Sequence, residues 1–180
     1  MSIKSFGTIG MGKISNALRV VIDTNVLVSA IVFGGIPKQI LTLVLDENIT
    51  GVATRILVAE LIDVLSKKFH FSPPKLAKVE ALIQDSFLIV QPEKIISLLD
   101  DDDDNRVLEA AVEGVCDYIV TGDRDLLRLK EYKEITIVTA AEFISFLEHF
   151  LSYSEIYQKG EQIAQPAQQR IPISLSLLAE

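Results

Sequence analysis

The sequence has few residues that bind soft metals or form disulfides. It contains one cysteine and two histidines among 180 residues. The single cysteine, Cys116, excludes an intramolecular disulfide framework and a zinc site built mainly from thiolates. With two histidines besides, soft-metal chemistry is not expected. Any metal site in this chain has to be built from oxygen ligands.

Positive charge and long apolar runs are also scarce. The 17 Lys and Arg residues face 25 Asp and Glu residues, and the formal net charge is −8. The surface as a whole should repel a phosphate backbone, so activity on nucleic acid would need a local site. The first twenty residues lack the pattern of a secretory signal, and no apolar run approaches the length of a membrane span. We therefore expect a cytoplasmic protein without a membrane segment.

What the sequence does contain is an alternation of short apolar strands with amphipathic helices. Strands are predicted at 19–23, 49–54, 86–92, 117–123 and 134–139, and helices at 38–45, 55–69, 73–85, 105–114 and 140–151, with a short helix starting near Asp125. This alternation is typical of an α/β protein with helices on both faces of the sheet. We predict a three-layer α/β/α sandwich with a central, mainly parallel sheet of about five strands.

The chain length fits one domain of ordinary size with a tail at each end. Residues 1–18 are rich in Gly, Ser and Lys and lack periodicity, so they are interpreted as a flexible leader, followed by a catalytic domain at 19–150. Residues 151–180 are interpreted as an extension. Within it, 152–170 reads as a Gln-rich linker, and 171–177 alternates like an edge strand, with a disordered terminus as the alternative.

Two aspartates follow predicted strands directly. Asp23 ends the apolar run "RVVID", and Asp123 follows the strand in "DYIVTGD". In open parallel sheets, ligands bind beyond the carboxyl ends of the strands, where the strand order reverses. A carboxylate at the end of an apolar strand is costly to desolvate unless a cation or hydrogen-bond donors meet it. The alternatives are a turn-forming role for Asp23 and a helix cap for Asp123.

A third acid lies on the apolar stripe of a predicted helix. In "TRILVAELIDVL", Glu60 falls between Ile56 and Val64 at helical spacing. This spacing predicts that Glu60 points inward, where an uncompensated glutamate is rare. The alternative is a glutamate at the edge of the stripe that reaches water.

The fourth acid ends a run of five consecutive aspartates, residues 100–104. Asp104 precedes Leu108 of the next apolar stripe by four residues, which predicts that it starts that helix on the buried face. Helix capping is the alternative, since an aspartate at an N-cap contributes about 1 kcal/mol. The earlier aspartates are interpreted as a solvated loop. Asp101 or Asp103 could supply a further carboxylate at the rim of the site.

Four carboxylates gathered at one sheet edge need a cation. Each close pair repels by about 4 kcal/mol at an effective dielectric constant of about 20. Oxygen-only ligands and crowded negative charge predict Mg²⁺ or Mn²⁺, which also bind substrate phosphates. The bound ions would reverse the local field and activate a water for hydrolysis of a phosphodiester. Arg124 is a candidate for steadying charge on the substrate, with a surface ion pair as the alternative.

Four segments together resemble a known family. The segments "VVIDTNVLVSA", the helix around Glu60, "DDDDNRVLEAA" and "DYIVTGDRDLL" resemble, in order and spacing, the four acidic motifs of the PIN-domain ribonucleases. The likeness covers about residues 19–150 and is greatest to the PIN-type toxins of prokaryotic toxin–antitoxin modules. By this resemblance, Asp23, Glu60, Asp104 and Asp123 are the metal-binding and catalytic acids.

The resemblance implies further features. Thr24, Asn25 and Thr121 match polar supporting positions, and Asp125 matches a variable downstream acid. The aspartate run leaves the third motif's register ambiguous, so Asp103 could substitute for Asp104. The family implies a Rossmann-like sheet and a Mg²⁺- or Mn²⁺-dependent endoribonuclease acting on RNA. It also implies a homodimer and a small antitoxin that blocks the site.

Two other functional classes compete with this interpretation. A phosphoaspartyl enzyme or receiver domain would also use a strand-end aspartate and would form an acyl phosphate on Asp23. The haloacid-dehalogenase form of that chemistry needs a second aspartate where this chain has Asn25. A metal- or protein-binding module without turnover is the third hypothesis. The sequence leaves open the RNA target, the choice between RNA and single-stranded DNA, and the antitoxin.

Overall fold

The structure is a computed structural model that describes residues 18–159, with side chains described for 18–149. The chain divides into two compact units, Met1–Phe146 and Leu147–Glu180. Nearly all of the predicted leader lies outside the described residues, as does the extension after Lys159. The predicted edge strand at 171–177 therefore remains a prediction.

The described part of the chain contains six strands and seven helices. The strands are β1 (Arg19–Ile22), β2 (Thr50–Thr54), β3 (Leu88–Val90), β4 (Tyr118–Val120), β5 (Glu131–Tyr132) and β6 (Ile135–Val138). The helices are α1 (Thr24–Val32), α2 (Gly35–Leu45), α3 (Arg55–Lys67), α4 (Pro73–Ser86), α5 (Asp102–Glu113), α6 (Arg124–Leu129) and α7 (Ala140–Lys159). The predicted α/β class is confirmed, with one strand more than expected.

The sheet has the order β3-β2-β1-β4-β6-β5. Neighbouring strands from β3 to β6 are parallel, and the short edge strand β5 is antiparallel to β6. From β1 the chain builds outward through β2 and β3, and it then crosses back to place β4 on the other side of β1. The strand order therefore reverses between β1 and β4, and the carboxyl ends of these two strands border the crevice where such sheets bind ligands.

Helices cover both faces of the sheet. Adjacent residues of a strand point to opposite faces, and on β2 a Cβ built on Gly51 would lie 2.8 Å from Val44 of α2. The next residue, Val52, is 2.5 Å from a Cβ built on Gly114, directly after α5. On the α2 side, Tyr118 packs edge to face with Phe143 of α7 at 5.4 Å between ring centroids. The predicted three-layer sandwich is confirmed.

Helix α1 was not predicted, because its residues were interpreted as part of a loop. Its sequence, TNVLVSAIV, is rich in β-branched residues and buries five of its nine residues, Thr24, Val26, Leu27, Val28 and Ala30. Such a segment shows no clear polar face, so a helical period is hard to recognise. Helix α2 also begins earlier than predicted, at Gly35 instead of residue 38. Gly34 and Gly35, with φ of 80° and 68°, make the turn between the two helices.

Other boundaries also differ from the prediction. Helix α5 begins at Asp102, three residues before the predicted start, so part of the aspartate run is helical. Helix α7 continues to Lys159, eight residues beyond its predicted end at 151, and the linker predicted at 152–170 stays a prediction. No described helix is long and apolar enough to cross a membrane by itself, although α1 and α2, bent by 100°, pass that test of length and composition as a pair.

Candidate active site

Asp23 lies at the strand-order reversal. Its backbone N–H donates to the carbonyl of Val120 at 2.9 Å, which extends the pairing of β1 with β4 by one residue. The side chain is 6% exposed, and its Oδ2 accepts a 2.6 Å hydrogen bond from the hydroxyl of the fully buried Thr121. Oδ1 accepts a 3.2 Å hydrogen bond from the backbone N–H of Asn25, so Asp23 also caps α1. The bond to Thr121 is additional to this capping role.

Burial raises the pKa of Asp23 above its ordinary value, because a carboxylate removed from water loses hydration. The hydrogen bond from Thr121 lowers the pKa, and the negative charge of Asp123 raises it again. No cation contributes to this balance. The strand-end carboxylate is therefore stabilised by hydrogen bonds and by no positive charge among the described residues.

Glu60 projects from α3 towards the beginning of α1. Its Oε2 accepts a 3.1 Å hydrogen bond from the hydroxyl of Thr24, which is 1% exposed. The predicted stripe was partly wrong, because Ile56 is 53% exposed. The buried face of α3 is formed instead by Leu57, Val58, Leu61 and Leu65. Glu60 therefore lies half-buried at the border of that face and not at its centre.

The electrostatic surroundings of Glu60 link it to β1 and to α5. Burial raises its pKa, and the hydrogen bond from Thr24 lowers it. The charges of Asp103 and Asp23 raise the pKa further, and the guanidinium of Arg106 lowers it. Glu60 thus lies near both the strand-end aspartate and the first turn of α5.

Asp104 is the third residue of α5 and is half-buried. Its pKa is raised from 3.8 to about 6, mainly by burial and further by the charges of four neighbouring carboxylates, those of Asp123, Asp101, Asp23 and Asp125. The N-cap of α5 is Asp101, whose Oδ1 accepts from the backbone N–H of Asp103 at 2.8 Å. Capping is therefore supplied by another residue and does not explain the position of Asp104.

Asp103, the alternative third acid, has different neighbours from Asp104. It is exposed and forms a 2.6 Å ion pair with Arg106 three residues later. Its charge acts on Glu60, whereas the charges acting on Asp104 include those of Asp23 and Asp123. In this structure Asp104 is therefore the member of the run that faces the ends of β1 and β4.

Asp123 is the N-cap of α6. Its Oδ1 accepts a 2.7 Å hydrogen bond from the backbone N–H of Asp125, and its own N–H donates to the hydroxyl oxygen of Thr121 at 2.9 Å. Thr121 therefore connects Asp123 to Asp23. Asp125 is exposed and forms a 2.5 Å ion pair with Arg128.

Gly122, between Thr121 and Asp123, does not need to be glycine for steric reasons. A Cβ built on it would meet no atom within 4 Å, and its φ lies outside the positive range. Arg124 is exposed and takes part in no ion pair within residues 18–149.

Two residues of this region were not predicted to matter, Asn105 and Arg106. Asn105 is 3% exposed, and its amide bonds to the segment that precedes α5. It precedes Leu108 by three residues and Val112 by seven, so the helical spacing already placed it on the apolar stripe. No comparable sequence signal marks Arg106, because its proximity to Glu60 depends on the packing of α3 against α5.

The donor set can be tested for its fit to a metal. Within residues 18–149, no three Asp, Glu, His or Cys side chains already surround one point closely enough to hold an ion. The charge of Asp23 nevertheless acts on Glu60 and Asp104, and that of Asp123 acts on Asp23 and Asp104. All four predicted acids offer carboxylate oxygens as ligand atoms. A hard divalent cation is the ligand that relieves such repulsion without histidine or cysteine. The residues therefore fit Mg²⁺ or Mn²⁺ in their chemistry.

Comparison with known proteins gives two findings. The sequence profile of the PIN domain family matches residues 19–125. The chain is also 28% identical, over 148 residues, to the uncharacterized protein MJ1680 of Methanocaldococcus jannaschii, a match that covers 75% of this chain and 95% of that protein. The matched range 19–125 contains Asp23, Glu60, Asp104 and Asp123.

Proposed function

The chain belongs to the PIN domain family, and on that premise we propose that it is a divalent-metal-dependent endoribonuclease that hydrolyses phosphodiester bonds in RNA. PIN domains are typically nucleases. One observation carries the proposal: four acids from separate parts of the chain, Asp23, Glu60, Asp104 and Asp123, are linked electrostatically at the strand-order reversal. The charge of Asp23 acts on Glu60 and Asp104, and the charge of Asp123 acts on Asp23 and Asp104. A bound cation favours the ionised form of such neighbouring carboxylates and offsets their mutual repulsion.

In this proposal the four acids hold Mg²⁺ or Mn²⁺. When bound, such an ion polarises the scissile phosphate and lowers the pKa of a coordinated water, so no side-chain nucleophile is needed. Thr121 orients Asp23 through its 2.6 Å bond and accepts from the backbone of Asp123, so one hydroxyl fixes two of the acids. Thr24 orients Glu60 in the same way. Such supporting partners typically change metal affinity or activity by about 10- to 100-fold.

Burial of the acids has a chemical consequence. The raised pKa of Asp104, about 6, means that protons compete with a cation for this carboxylate in mildly acidic solution. Metal binding and activity are therefore expected to fall as the pH drops through 6. Above that pH Asp104 is ionised and available to a cation, because no positively charged group within residues 18–149 acts on Asp23 or Asp104.

The substrate phosphate also needs a cation on the protein. The net charge of −8 means that the protein's overall field does not attract RNA. Arg106 is half-buried and acts on Glu60, so we assign it to a phosphate next to the cleaved bond. Arg124, exposed at the first position of α6, is the second candidate for that role.

The phosphoaspartyl alternative is disfavoured by the surroundings of Asp23. A nucleophilic carboxylate needs a free oxygen facing the phosphoryl donor. Both oxygens of Asp23 accept hydrogen bonds, and the side chain is 6% exposed. This low exposure leaves little room for a phosphoryl donor, whereas each oxygen keeps a further lone pair for a cation.

Incubation of the purified chain with single-stranded RNA or single-stranded DNA, in Mn²⁺, Mg²⁺ or EDTA, tests the proposal. We expect RNA cleavage with either ion, none in EDTA, and loss of cleavage in D23N with an unchanged circular dichroism spectrum. D63N is the matched control, because Asp63 is an exposed acid of α3 paired with Lys67. Cleavage that survives EDTA or D23N contradicts a metal nuclease, and equal cleavage of DNA contradicts the choice of RNA.

The physiological part of the proposal rests on the sequence resemblance. We propose that the chain is the toxin of a toxin–antitoxin module, that it forms a homodimer, and that a small antitoxin covers the acidic site. Induced expression of the wild type should arrest growth of a host bacterium, and D23N should not. Light scattering of the purified chain tests the dimer. Growth that continues equally with both proteins contradicts the toxin role. The nuclease activity is tested separately by the cleavage assay.

A further inference from the structure

The side chain of Asn105 connects the segment before α5 to the first turn of that helix by hydrogen bonds. Its Oδ1 accepts hydrogen bonds from the backbone N–H groups of Leu98 and Leu99, both at 2.9 Å. Its Nδ2 donates to the carbonyl of Leu99 at 2.7 Å and to that of Asp101 at 3.0 Å. The amide therefore uses both of its donors and accepts twice, and all four partners are backbone groups.

No other side chain could make the same set of bonds. Aspartate has the same shape but lacks the donors, glutamine is longer by one methylene, and alanine has no polar group. Asn105 is 3% exposed, so water could not easily replace the lost bonds. Each backbone group left without a partner in a buried position costs about 1–3 kcal/mol. The bonds of Asn105 are thus specific to asparagine and are not a generic polar contact.

The aspartate run needs such bonds to define where α5 begins. Several aspartates precede Asn105, and any of them is a good N-cap, so the run does not itself determine where α5 begins. If the helix started after Asp104, neither Asp103 nor Asp104 would be held in the orientation that helical spacing gives it. Either carboxylate could then turn towards the ends of β1 and β4.

Asn105 removes this ambiguity. Its side chain and its backbone N–H both donate to the carbonyl of Asp101, at 3.0 and 3.2 Å, which marks Asp101 as the cap. The same side chain binds Leu98 and Leu99, so the loop cannot slide along the helix without breaking these bonds. With the cap fixed, Asp104 becomes the third helical residue and the half-buried one.

We propose that Asn105 is a positioning residue that fixes the register of the aspartate run, so that Asp104 and not Asp103 faces Asp23 and Asp123. The proposal rests on the proposed function only in treating the selected acid as a metal ligand. The register itself is a property of the backbone and can be measured without metal.

Amide hydrogen exchange, resolved by NMR in the metal-free protein, tests the register directly. In the wild type the amides of Leu98, Leu99 and Asn105 should be protected, whereas in N105A all three should exchange at least about 10-fold faster, as expected when a local opening becomes easier. V107A is the matched control, because Val107 is a buried residue of the same helix that is 3% exposed. V107A should destabilise the helix without changing the relative protection of these three amides.

Mn²⁺ affinity then tests whether the register selects Asp104. When Asn105 is present, the D104N variant should bind Mn²⁺ more than about 10-fold more weakly than the D103N variant. A difference of this size is in the range seen for supporting partners of metal sites. In the N105A background the two variants should differ by less than about 3-fold. Unchanged amide protection in N105A, or a D103N-to-D104N difference that survives N105A, overturns the proposal. Absence of Mn²⁺ binding by the wild type overturns the proposed function instead, and the exchange data alone then decide the register.

Discussion

The hydroxyl of Thr121 donates a 2.6 Å hydrogen bond to the carboxylate of Asp23, although the two residues are 98 positions apart in the chain. The bond joins the carboxyl ends of β1 and β4, the two strands between which the strand order reverses. Both side chains are buried, at 0% and 6% exposure, so the bond is shielded from water. The same contact therefore links the two strands at the reversal and orients a carboxylate of the proposed metal site.

Replacing Thr121 by valine should impair both stability and function. T121V keeps the shape of the side chain but leaves Asp23 and the N–H of Asp123 without their partner. We expect a loss of about 1–3 kcal/mol in the free energy of unfolding and of about 10-fold or more in RNA cleavage. Urea unfolding and the cleavage assay measure the two effects.

The control for this variant is T136V. Thr136 is a half-buried strand threonine of β6 for which the structure gives only backbone hydrogen bonds. T136V should change the free energy of unfolding by no more than about 0.5 kcal/mol. Equal effects of T121V and T136V would mean that the bond to Asp23 has no special role.

Replacing Asp104 by asparagine should stabilise the metal-free protein at alkaline pH. The pKa of Asp104 is raised from 3.8 to about 6 on folding, so ionised Asp104 costs stability above pH 6. D104N removes that cost. In EDTA at pH 8 we expect D104N to be more stable than the wild type, and the difference should shrink as the pH falls through 6 and vanish below about pH 4, where Asp104 is protonated in both states.

Urea unfolding at pH 8 and at pH 4 checks this prediction, with D85N as the control. Asp85 is an exposed acid of α4, so its replacement should have little effect at either pH. A D104N protein that is less stable than the wild type at pH 8, or a stability difference that does not depend on pH, would contradict the electrostatic account of the cluster.

Arg106 and Arg128 offer a matched comparison for the phosphate contact. Each pairs with an aspartate three residues earlier in the first turn of a helix, at 2.6 and 2.5 Å. The charge of Arg106 acts on Glu60, and its side chain is 41% exposed against 75% for Arg128. We expect R106A to weaken RNA binding and to reduce the slope of log binding constant against log salt by about one, while R128A changes neither.

Fluorescence anisotropy with labelled RNA at several salt concentrations measures these slopes. If R106A has the wild-type slope, or if R128A loses as much, Arg106 does not contact a phosphate. The prediction tests substrate binding separately from metal binding, because neither arginine is a metal ligand.

Gly51 should tolerate no side chain. A Cβ there would lie 2.6 Å from Phe87 and 2.8 Å from Val44, inside the core between β2 and its covering helix. G51A should cost roughly 1–3 kcal/mol of stability through overpacking. At Gly122 an added Cβ meets nothing, so G122A should change stability by no more than about 0.5 kcal/mol. Thermal unfolding of both variants checks the difference, and a G51A protein as stable as the wild type would contradict the packing described.

The sequence allowed parts of the site to be predicted because their signals are local. Asp23 and Asp123 follow apolar strands, and a parallel sheet brings such strand ends to one edge whatever the details of packing. Glu60 could be placed on its helix by spacing alone, although the exposed Ile56 shows that the predicted apolar stripe included a residue outside the buried face. These residues depend on periodicity and strand direction, which composition and spacing reveal.

The other parts depend on information that periodicity does not contain. Helix α1 is apolar on most sides, so a helical period was not visible in residues 24–32. The start of α5 could not be located among identical aspartates, because it is set by the bonds of the Asn105 amide to Leu98, Leu99 and Asp101. The proximity of Arg106 to Glu60 requires α3 and α5 to be packed together first.

The central claim is that Asp23, Glu60, Asp104 and Asp123 form one site for a divalent cation. Calorimetric titration of the wild type, D23N, D104N and D123N with Mn²⁺ at pH 7.5, a pH chosen above the pKa of about 6 of Asp104, tests it most directly, with D63N as the control. The account predicts that the wild type and D63N bind Mn²⁺ alike and that each of the other variants loses more than about 10-fold in affinity. Equal affinity in all five proteins, or no binding by the wild type, would contradict it.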